Sequence, residues 1–140
     1  MFSRRRFVAS SLAVPIARAL GQGRLGAVPL IDSHVHVWKH DAAFPFAEGA
    51  KPPAEDASAE MLLELMKANG VVRTVIVQVI HYRWDNRYLA DVLRRYPGVF
   101  KGVCRVDPQS SAAPDELARL TEKEGFHGVR LSPGAGADGD

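Results

Sequence analysis

The apolar positions of this 140-residue chain form four short runs, at residues 28–38, 74–80, 99–106 and 126–131, separated by longer amphipathic segments. The run 74–80 is almost continuously apolar and β-branched, which is typical of a parallel strand buried on both faces. Strands that alternate with helical segments are joined by right-handed crossovers. The pattern therefore predicts the order β-α-β-α-β-α-β in an α/β protein with a parallel sheet.

Each segment between two strands carries start and stop signals of a helix. Ser58 is the predicted N-cap of a first helix, which Gly70 ends. Either Asp85 or Asn86 is expected to cap a second helix, and Pro114 opens a third. We expect the first helix to bury an apolar stripe formed by Met61, Leu62, Leu65 and Met66.

Two architectures fit this order of elements: an open doubly wound sheet, or the first half of a (β/α)8 barrel. In both, functional residues gather at the carboxyl ends of the strands. Four polar residues lie at or near these ends, namely His36, His81, Asp107 and Arg130. Asp107 precedes Pro108 and is better interpreted as a turn former. The other three indicate a candidate site at that edge of the sheet.

Two histidines, His34 and His36, stand two positions apart in the first predicted strand. Successive side chains of a strand point to opposite faces, so both imidazoles share one face, with Ser33, Val35 and Val37 on the other. Neutral imidazole is the commonest protein ligand for zinc and related ions. The spacing therefore predicts a metal site, and the alternative is an ordinary histidine pair near a strand end.

Composition and charge narrow the class of protein. The chain is 46% apolar and 24% charged, which is ordinary for a globular protein. Its net charge of +2 depends on four arginines before residue 20, and the remainder is mildly acidic. No basic stripe with interleaved aromatic residues is present in the sequence, so we expect no nucleic-acid partner. The single cysteine, Cys104, excludes an internal disulfide and a cysteine-rich zinc site.

The first 19 residues have the features of an export signal. Ser3-Arg4-Arg5-Arg6-Phe7-Val8 resembles the twin-arginine signal, and Ala17-Arg18-Ala19 fits a cleavage site. The apolar part is shorter than the roughly 20 residues that span a bilayer, so we expect no membrane anchor after cleavage. These features predict a periplasmic or extracellular protein that engages the twin-arginine translocon during export. The predicted division is a signal at 1–19, a linker at 20–27, a domain at 28–133 and a flexible tail at 134–140.

Four motifs resemble those of the amidohydrolase superfamily, and more narrowly of its amidohydrolase-2 type. They are Ile31-Asp32-Ser33-His34-Val35-His36, the segment from Val77-Gln78-Val79 to Asp85-Asn86-Arg87, Gly102–Pro108 and Gly128–Leu131. A lone H-x-H motif is weak, but these four follow one another in the family's order and spacing. The type includes lactonases similar to the 2-pyrone-4,6-dicarboxylate and fuconolactone hydrolases. The resemblance implies a TIM barrel and favours it over the open sheet.

The resemblance also implies a chemistry. It makes His34 and His36 the catalytic residues and, as in metal-dependent members, the ligands of a divalent ion, with zinc the leading candidate; some lactonases of this type work without a metal. Arg130 would bind a substrate carboxylate, a task that suits the guanidinium fork, and His81 is a further candidate substrate contact. The implied reaction is hydrolysis of a lactone, ester or amide of a small acidic molecule. The alternative is a metal-dependent decarboxylase of the same superfamily.

Length is the main departure from the family. A (β/α)8 barrel takes about 250 residues, whereas the strands predicted here amount to the first four. The family's later histidine ligand and the aspartate of its last strand have no counterpart in this sequence. Half a barrel also exposes two sheet edges. We therefore expect an N-terminal fragment that is inactive alone, or a half-barrel that needs a partner chain.

Overall fold

The computed structural model describes residues 28–131, which form a four-stranded parallel sheet with three helices. The strands are β1 (Leu30–Val35), β2 (Val71–Val77), β3 (Phe100–Arg105) and β4 (Phe126–Arg130), in that spatial order, and the helices are α1 (Ala59–Asn69), α2 (Arg87–Arg95) and α3 (Ala113–Lys123). The predicted order of strands and helices is confirmed. The predicted export signal, linker and flexible tail lie outside the described residues. Of the helices within 28–131, none has the length and apolar character needed to cross a membrane.

The first strand is shorter than the sequence predicts. The prediction covers residues 28–38, but only Leu30–Val35 form β1. Beyond its end, Trp38 forms an isolated bridge to Ala57 through backbone hydrogen bonds of 2.9 and 3.1 Å. Val37 is buried although it lies in the loop. The apolar run therefore continues past the strand, and apolar character alone could not mark where β1 ends.

Local sequence signals account for three of the six ends of the described helices. The Ser58 hydroxyl accepts a hydrogen bond from the Met61 N–H (3.4 Å), and Gly70 ends α1 in the left-handed region, at φ 68°. Pro114 lies in the first turn of α3, as predicted. The sequence signals therefore place the start and end of α1 and the start of α3.

The two predicted caps of α2 have different roles. The Asp85 carboxylate accepts a hydrogen bond from the Arg87 N–H (3.0 Å). Asn86 is the N-cap residue of α2, as one of the two predicted alternatives has it, but its side chain makes no capping hydrogen bond. Its side chain instead accepts from the Arg105 N–H (3.0 Å) and donates to the Arg105 carbonyl (2.8 Å). Asn86 thus ties the start of α2 to the end of β3.

Helix α1 buries a different face from the one predicted. Met61 and Leu65 are 52% and 61% exposed, so their expected place in the core is wrong. The face that packs on the core is formed by Ala59, Leu62, Leu63 and Met66. The Ala59 N–H donates to the Tyr88 hydroxyl of α2 (3.2 Å). This contact with α2 selects one of two overlapping apolar faces, which the sequence of α1 alone could not do.

The side of the sheet that faces the helices is closely packed at Gly102. A Cβ at this position would lie 2.6 Å from Leu93 Cδ1 of α2 and 3.0 Å from Phe126 Cδ1 of β4. Contacts this short force neighbouring atoms to move. An alanine here would therefore force the side chains of Leu93 in α2 and Phe126 in β4 to shift.

The other side of the sheet, called the inner face, carries the polar residues. Right-handed crossovers between neighbouring strands place all three helices on one side. Because Gly102 faces the helices, its neighbours Lys101 and Val103 face inward, as does Arg105. Gly128 lies beside Val103: a Cβ at position 128 would be 3.5 Å from the Val103 Cγ2. The inner face therefore changes from a lysine near the amino end of β3 to apolar residues in the middle and cationic residues at the carboxyl ends of β3 and β4.

Candidate active site

A β-bulge interrupts β1 at the histidines. Asp32 pairs with Thr74 and Val35 pairs with Ile76, so β1 has one residue more than β2 over the same stretch. Within the bulge, the Asp32 carboxylate accepts a hydrogen bond from the His34 N–H (3.1 Å). Strict alternation therefore fails in this part of the strand, and the direction of each side chain depends on the bulge.

The two imidazoles nevertheless lie next to each other. The ring centroids of His34 and His36 are 5.1 Å apart, with the ring planes at 88°. His34 is exposed, whereas His36, one residue beyond the end of β1, is half-buried. The adjacency that the spacing predicts is thus present, and the roles of the two residues in catalysis or metal binding stay predictions.

The backbone of β2 fixes the orientation of His36. Its Nδ1 lies 2.7 Å from the Val77 carbonyl oxygen. A carbonyl oxygen can only accept, so Nδ1 carries the proton, and in the neutral ring Nε2 is the free acceptor. Metal-ligating histidines are commonly oriented by such a hydrogen bond from the second ring nitrogen. His36 therefore fits a divalent ion bound at Nε2.

The described residues provide only part of a metal site. Zinc sites in proteins use three or four protein ligands. Within residues 28–131, no group of three His, Cys, Asp or Glu side chains could hold an ion. His34 and His36 therefore fit two positions of such a site and do not complete it.

His81 belongs to an aromatic wall at the end of β2. It lies in a short 3₁₀ helix (Ile80–Tyr82), and its ring makes edge contacts with Trp38 and Phe46, at centroid distances of 6.4 and 6.3 Å. Its carbonyl accepts a hydrogen bond from the Ala47 N–H (2.9 Å). The loop between β1 and α1 therefore packs directly on the predicted substrate contact.

Tyr82 fastens this loop to the sheet, a role that the sequence did not single out. Its hydroxyl accepts from the Lys39 N–H (3.0 Å) and donates to the Lys39 carbonyl (3.1 Å), while its ring stacks on Phe46 at 4.9 Å. Burial raises the pKa of Tyr82 to about 12, so the hydroxyl keeps its proton at neutral pH. The sequence signal that could have indicated this role is the aromatic segment 81–84, which directly follows the buried strand β2.

Two arginines stand side by side at the carboxyl ends of β3 and β4. Arg130 is half-buried and is the register partner of Arg105. Arg105 is 1% exposed, and its guanidinium carbon lies 5.1 Å from the centre of the Trp84 ring. The sequence left the direction of Arg105 open, and the structure places it on the inner face. Arg130 is three strands from β1, about 14 Å along the sheet at about 4.8 Å per strand.

Two further polar residues have local roles. The Asp107 carboxylate accepts a hydrogen bond from the Gln109 N–H (2.9 Å), which agrees with its interpretation as a turn former. The His40 Nδ1 lies 2.7 Å from the Asp56 carboxylate, and hydrogen bonds from the backbone and ring of His40 lower the pKa of Asp56. His40 therefore holds the β1–α1 loop together.

A parallel α/β sheet of this order matches the first half of a TIM-barrel amidohydrolase. The chain belongs to the amidohydrolase family, whose profile matches residues 31–140. It is 35% identical over 106 residues to L-fucono-1,5-lactonase of Burkholderia ambifaria, covering 71% of this chain and 35% of that protein. It is 30% identical over 103 residues to 4-sulfomuconolactone hydrolase of Hydrogenophaga intermedia, covering 72% and 32%.

Two solved structures share the fold. One is a probable 2-pyrone-4,6-dicarboxylic acid hydrolase from Acinetobacter baumannii with citric acid bound, with a TM-score of 0.63 and 25% identity over 74% of this chain and 38% of that one. The other carries the same designation in Pseudomonas putida, with a TM-score of 0.60 and 31% identity over 74% and 36%. The chain spans about a third of the length of the curated relatives it matches. These relatives support lactone hydrolysis at the level of the family.

Proposed function

We propose that the protein hydrolyses a lactone of a small acidic molecule, with His34 and His36 at the reacting centre. The observation that carries this proposal is the orientation of His36. The Val77 carbonyl accepts a hydrogen bond from the Nδ1–H of His36. The Nε2 atom, which lies on the ring next to that of His34, is therefore the nitrogen that can accept a proton or bind an ion. The lactonase relatives support the reaction type.

The two histidines would act through unprotonated ring nitrogens. Such a nitrogen can accept a proton from water or hold a divalent ion. When bound, a divalent ion lowers the pKa of water towards 7 and polarises the scissile carbonyl. His36 would hold the ion through Nε2, and His34 would be the second ligand. Zinc is the ion we propose, because imidazole ligands suit it.

The substrate would lie between the histidines and the inward arginine of β4. Arg130 would bind a carboxylate through its guanidinium fork, which matches the geometry of the two carboxylate oxygens. His81 and its aromatic neighbours would contact the lactone ring. The names of two relatives support an anionic substrate, since they denote a dicarboxylic acid and a sulfonated lactone.

We propose that catalysis requires further βα units. The described strands supply two candidate ligands, and the relatives that carry out lactone hydrolysis are about three times as long as the part matched here. The chain alone would then be inactive, or active only with a partner chain that closes the barrel.

We also propose that residues 1–19 direct export through the twin-arginine pathway to the periplasm, which cell fractionation with and without these residues tests.

Acid release from L-fucono-1,5-lactone and from 2-pyrone-4,6-dicarboxylate tests the function. The assay compares this chain alone with the polypeptide that continues into any βα units encoded downstream, with zinc added or chelated. We expect lactone opening by the longer polypeptide, and its loss in His36→Gln. Release of carbon dioxide without lactone opening would favour the decarboxylase, and full activity of His36→Gln would contradict the proposed site.

A further inference from the structure

A second concave region reaches the amino ends of β3 and β4, the edge of the sheet opposite to the histidine pair. It is a groove of about 580 Å³ that follows α2 and ends at the turn between α3 and β4. This volume lies in the range of small-molecule sites. The apolar part of its lining comprises Phe44, Leu93 and Phe100. We call it the amino-end groove.

The rim of the amino-end groove carries an excess of positive charge. Lys101, Lys123 and His127 line it. Two acids also line it, but both are already engaged by arginines. Asp91 pairs with two arginines of α2, and Glu124 pairs with an arginine of α3. The lysine charges are therefore available to an anionic ligand.

A bulge in β4 holds one of these lysines in place. His127 is the extra residue between the register positions of Phe126 and Gly128, and its Nε2 lies 2.8 Å from the Lys101 Nζ. An ammonium group can only donate, so the imidazole nitrogen is the acceptor in this contact. The contact orients the ammonium group at the rim without bringing a negative charge to it.

The amino-end groove is built from neighbouring elements of the described chain. Its lining residues come from α2, β3, α3 and β4, with Phe44 from the β1–α1 loop. The histidine pair, in contrast, provides two ligands of a site that needs at least three. Binding in the groove can therefore be measured in this chain whatever closes the barrel.

We propose that the amino-end groove binds a small organic carboxylate with an apolar body, at a site separate from that of Arg130. The carboxylate would lie between Lys101 and Lys123, whose ammonium groups act as point charges. The apolar body would contact Leu93 of α2 and Phe100 of β3, which both line the groove.

Benzoate is the probe, and isothermal titration calorimetry with the full chain measures its affinity. We expect saturable binding with a Kd of about 1 mM. Lys101→Met and Lys123→Met should each weaken binding about fivefold, whereas Lys101→Arg should keep it within about twofold. Because rim charges are screened by salt, the affinity should also fall between low and high ionic strength.

The controls separate this site from general attraction to a basic surface. Lys67→Met, in the last turn of α1, should leave benzoate binding unchanged, and Arg130→Met should weaken it less than either groove-lysine variant does, with circular dichroism confirming the fold of each variant. Benzyl alcohol and inorganic phosphate, which lack the charge and the apolar body respectively, should bind more weakly than benzoate. Absence of saturable binding, equal binding of either control ligand, or an equal loss in Lys67→Met or Arg130→Met would overturn the proposal.

Discussion

The two faces of the same four strands are used in different ways. On the helix-facing side, Ile76 and Cys104 are almost fully buried and Gly102 leaves no room for a side chain. On the inner face, the same strands present Lys101 and Arg130. Packing on one face therefore stabilises the sheet, while the edge of the other face carries the candidate chemistry. Substitutions on the two faces should separate loss of stability from loss of activity.

The largest expected effect is on activity and comes from the inner face. His36→Gln removes the Nε2 acceptor, and we expect the lactone hydrolysis proposed above to fall by about 100-fold or more in the polypeptide that shows it, with little change in the melting temperature. Steady-state kinetics and thermal melts measure the two quantities. His40→Gln is the matched control, because the ring of His40 pairs with Asp56 in the loop. If His36→Gln lost activity because it unfolds, the inner face would contribute to stability as well, and the contrast between the two faces would not hold.

The next effect is on stability and comes from the helix-facing side. Gly102→Ala should lower the free energy of unfolding by about 2 kcal/mol, because its Cβ would lie 2.6 Å from Leu93 and 3.0 Å from Phe126. Gly128→Ala on the inner face, where the nearest contact is 3.5 Å, should change it by less than about 0.5 kcal/mol. Urea denaturation measures both. Equal destabilisation would contradict the assignment of the two glycines to opposite faces.

At Thr74, which also faces the helices, we expect a substitution to raise the free energy of unfolding, by less than Gly102→Ala lowers it. Its hydroxyl is buried and has no hydrogen-bond partner among the described residues. Thr74→Val replaces the hydroxyl by a methyl group of similar size and should raise the free energy of unfolding by about 1 kcal/mol. Thr121→Val, whose exposed hydroxyl bonds to the Leu117 carbonyl (3.0 Å), should not stabilise. A destabilised Thr74→Val would show that the hydroxyl is satisfied in solution.

The smallest effect concerns the helix layer and depends on pH. Hydrogen bonds from Arg95 (2.5 Å) and the Tyr96 hydroxyl (3.1 Å) lower the pKa of Glu60 to about 2. Since the folded pKa lies below the unfolded value, this stabilisation is present above about pH 4.5 and is lost as the pH falls through 2.

Because the Glu60 side chain is half-exposed, we expect its ion pair with Arg95 to contribute only about 0.5 kcal/mol to the free energy of unfolding at neutral pH. Glu60→Gln should therefore be less stable than the parent at pH 7 and equal to it near pH 2, as measured by denaturation at both values. Glu64→Gln is the exposed control on the same helix. A difference that is unchanged at low pH would exclude the carboxylate as its origin.

The order of elements could be predicted because buried parallel strands and capped helices leave local signals. The run 74–80 and the Ser58 cap are of this kind. The end of β1 and the buried face of α1 could not, because each depends on a contact with a distant residue. Val37 is buried by packing of the loop, and Ala59 is placed by the Tyr88 hydroxyl of α2.

The candidate site could be predicted in part. The spacing of His34 and His36 predicted adjacent rings, which the structure shows, whereas the bulge between Asp32 and Val35 left no signal in the sequence. Arg105 and Tyr82 were beyond sequence reasoning, since register with β4 places the first and contact with the β1–α1 loop places the second. The sequence could thus predict the two histidines from their spacing. It could not predict the positions of Arg105 and Tyr82, because these depend on contacts with other elements.

The hydrogen bond from His36 to the Val77 carbonyl has a consequence for the order of events during folding. The two residues are 41 positions apart, and the crossover between them must close before the bond can form. Until then, the proton of the imidazole can reside on either nitrogen. The acceptor atom is therefore specified late, when β1 docks on β2.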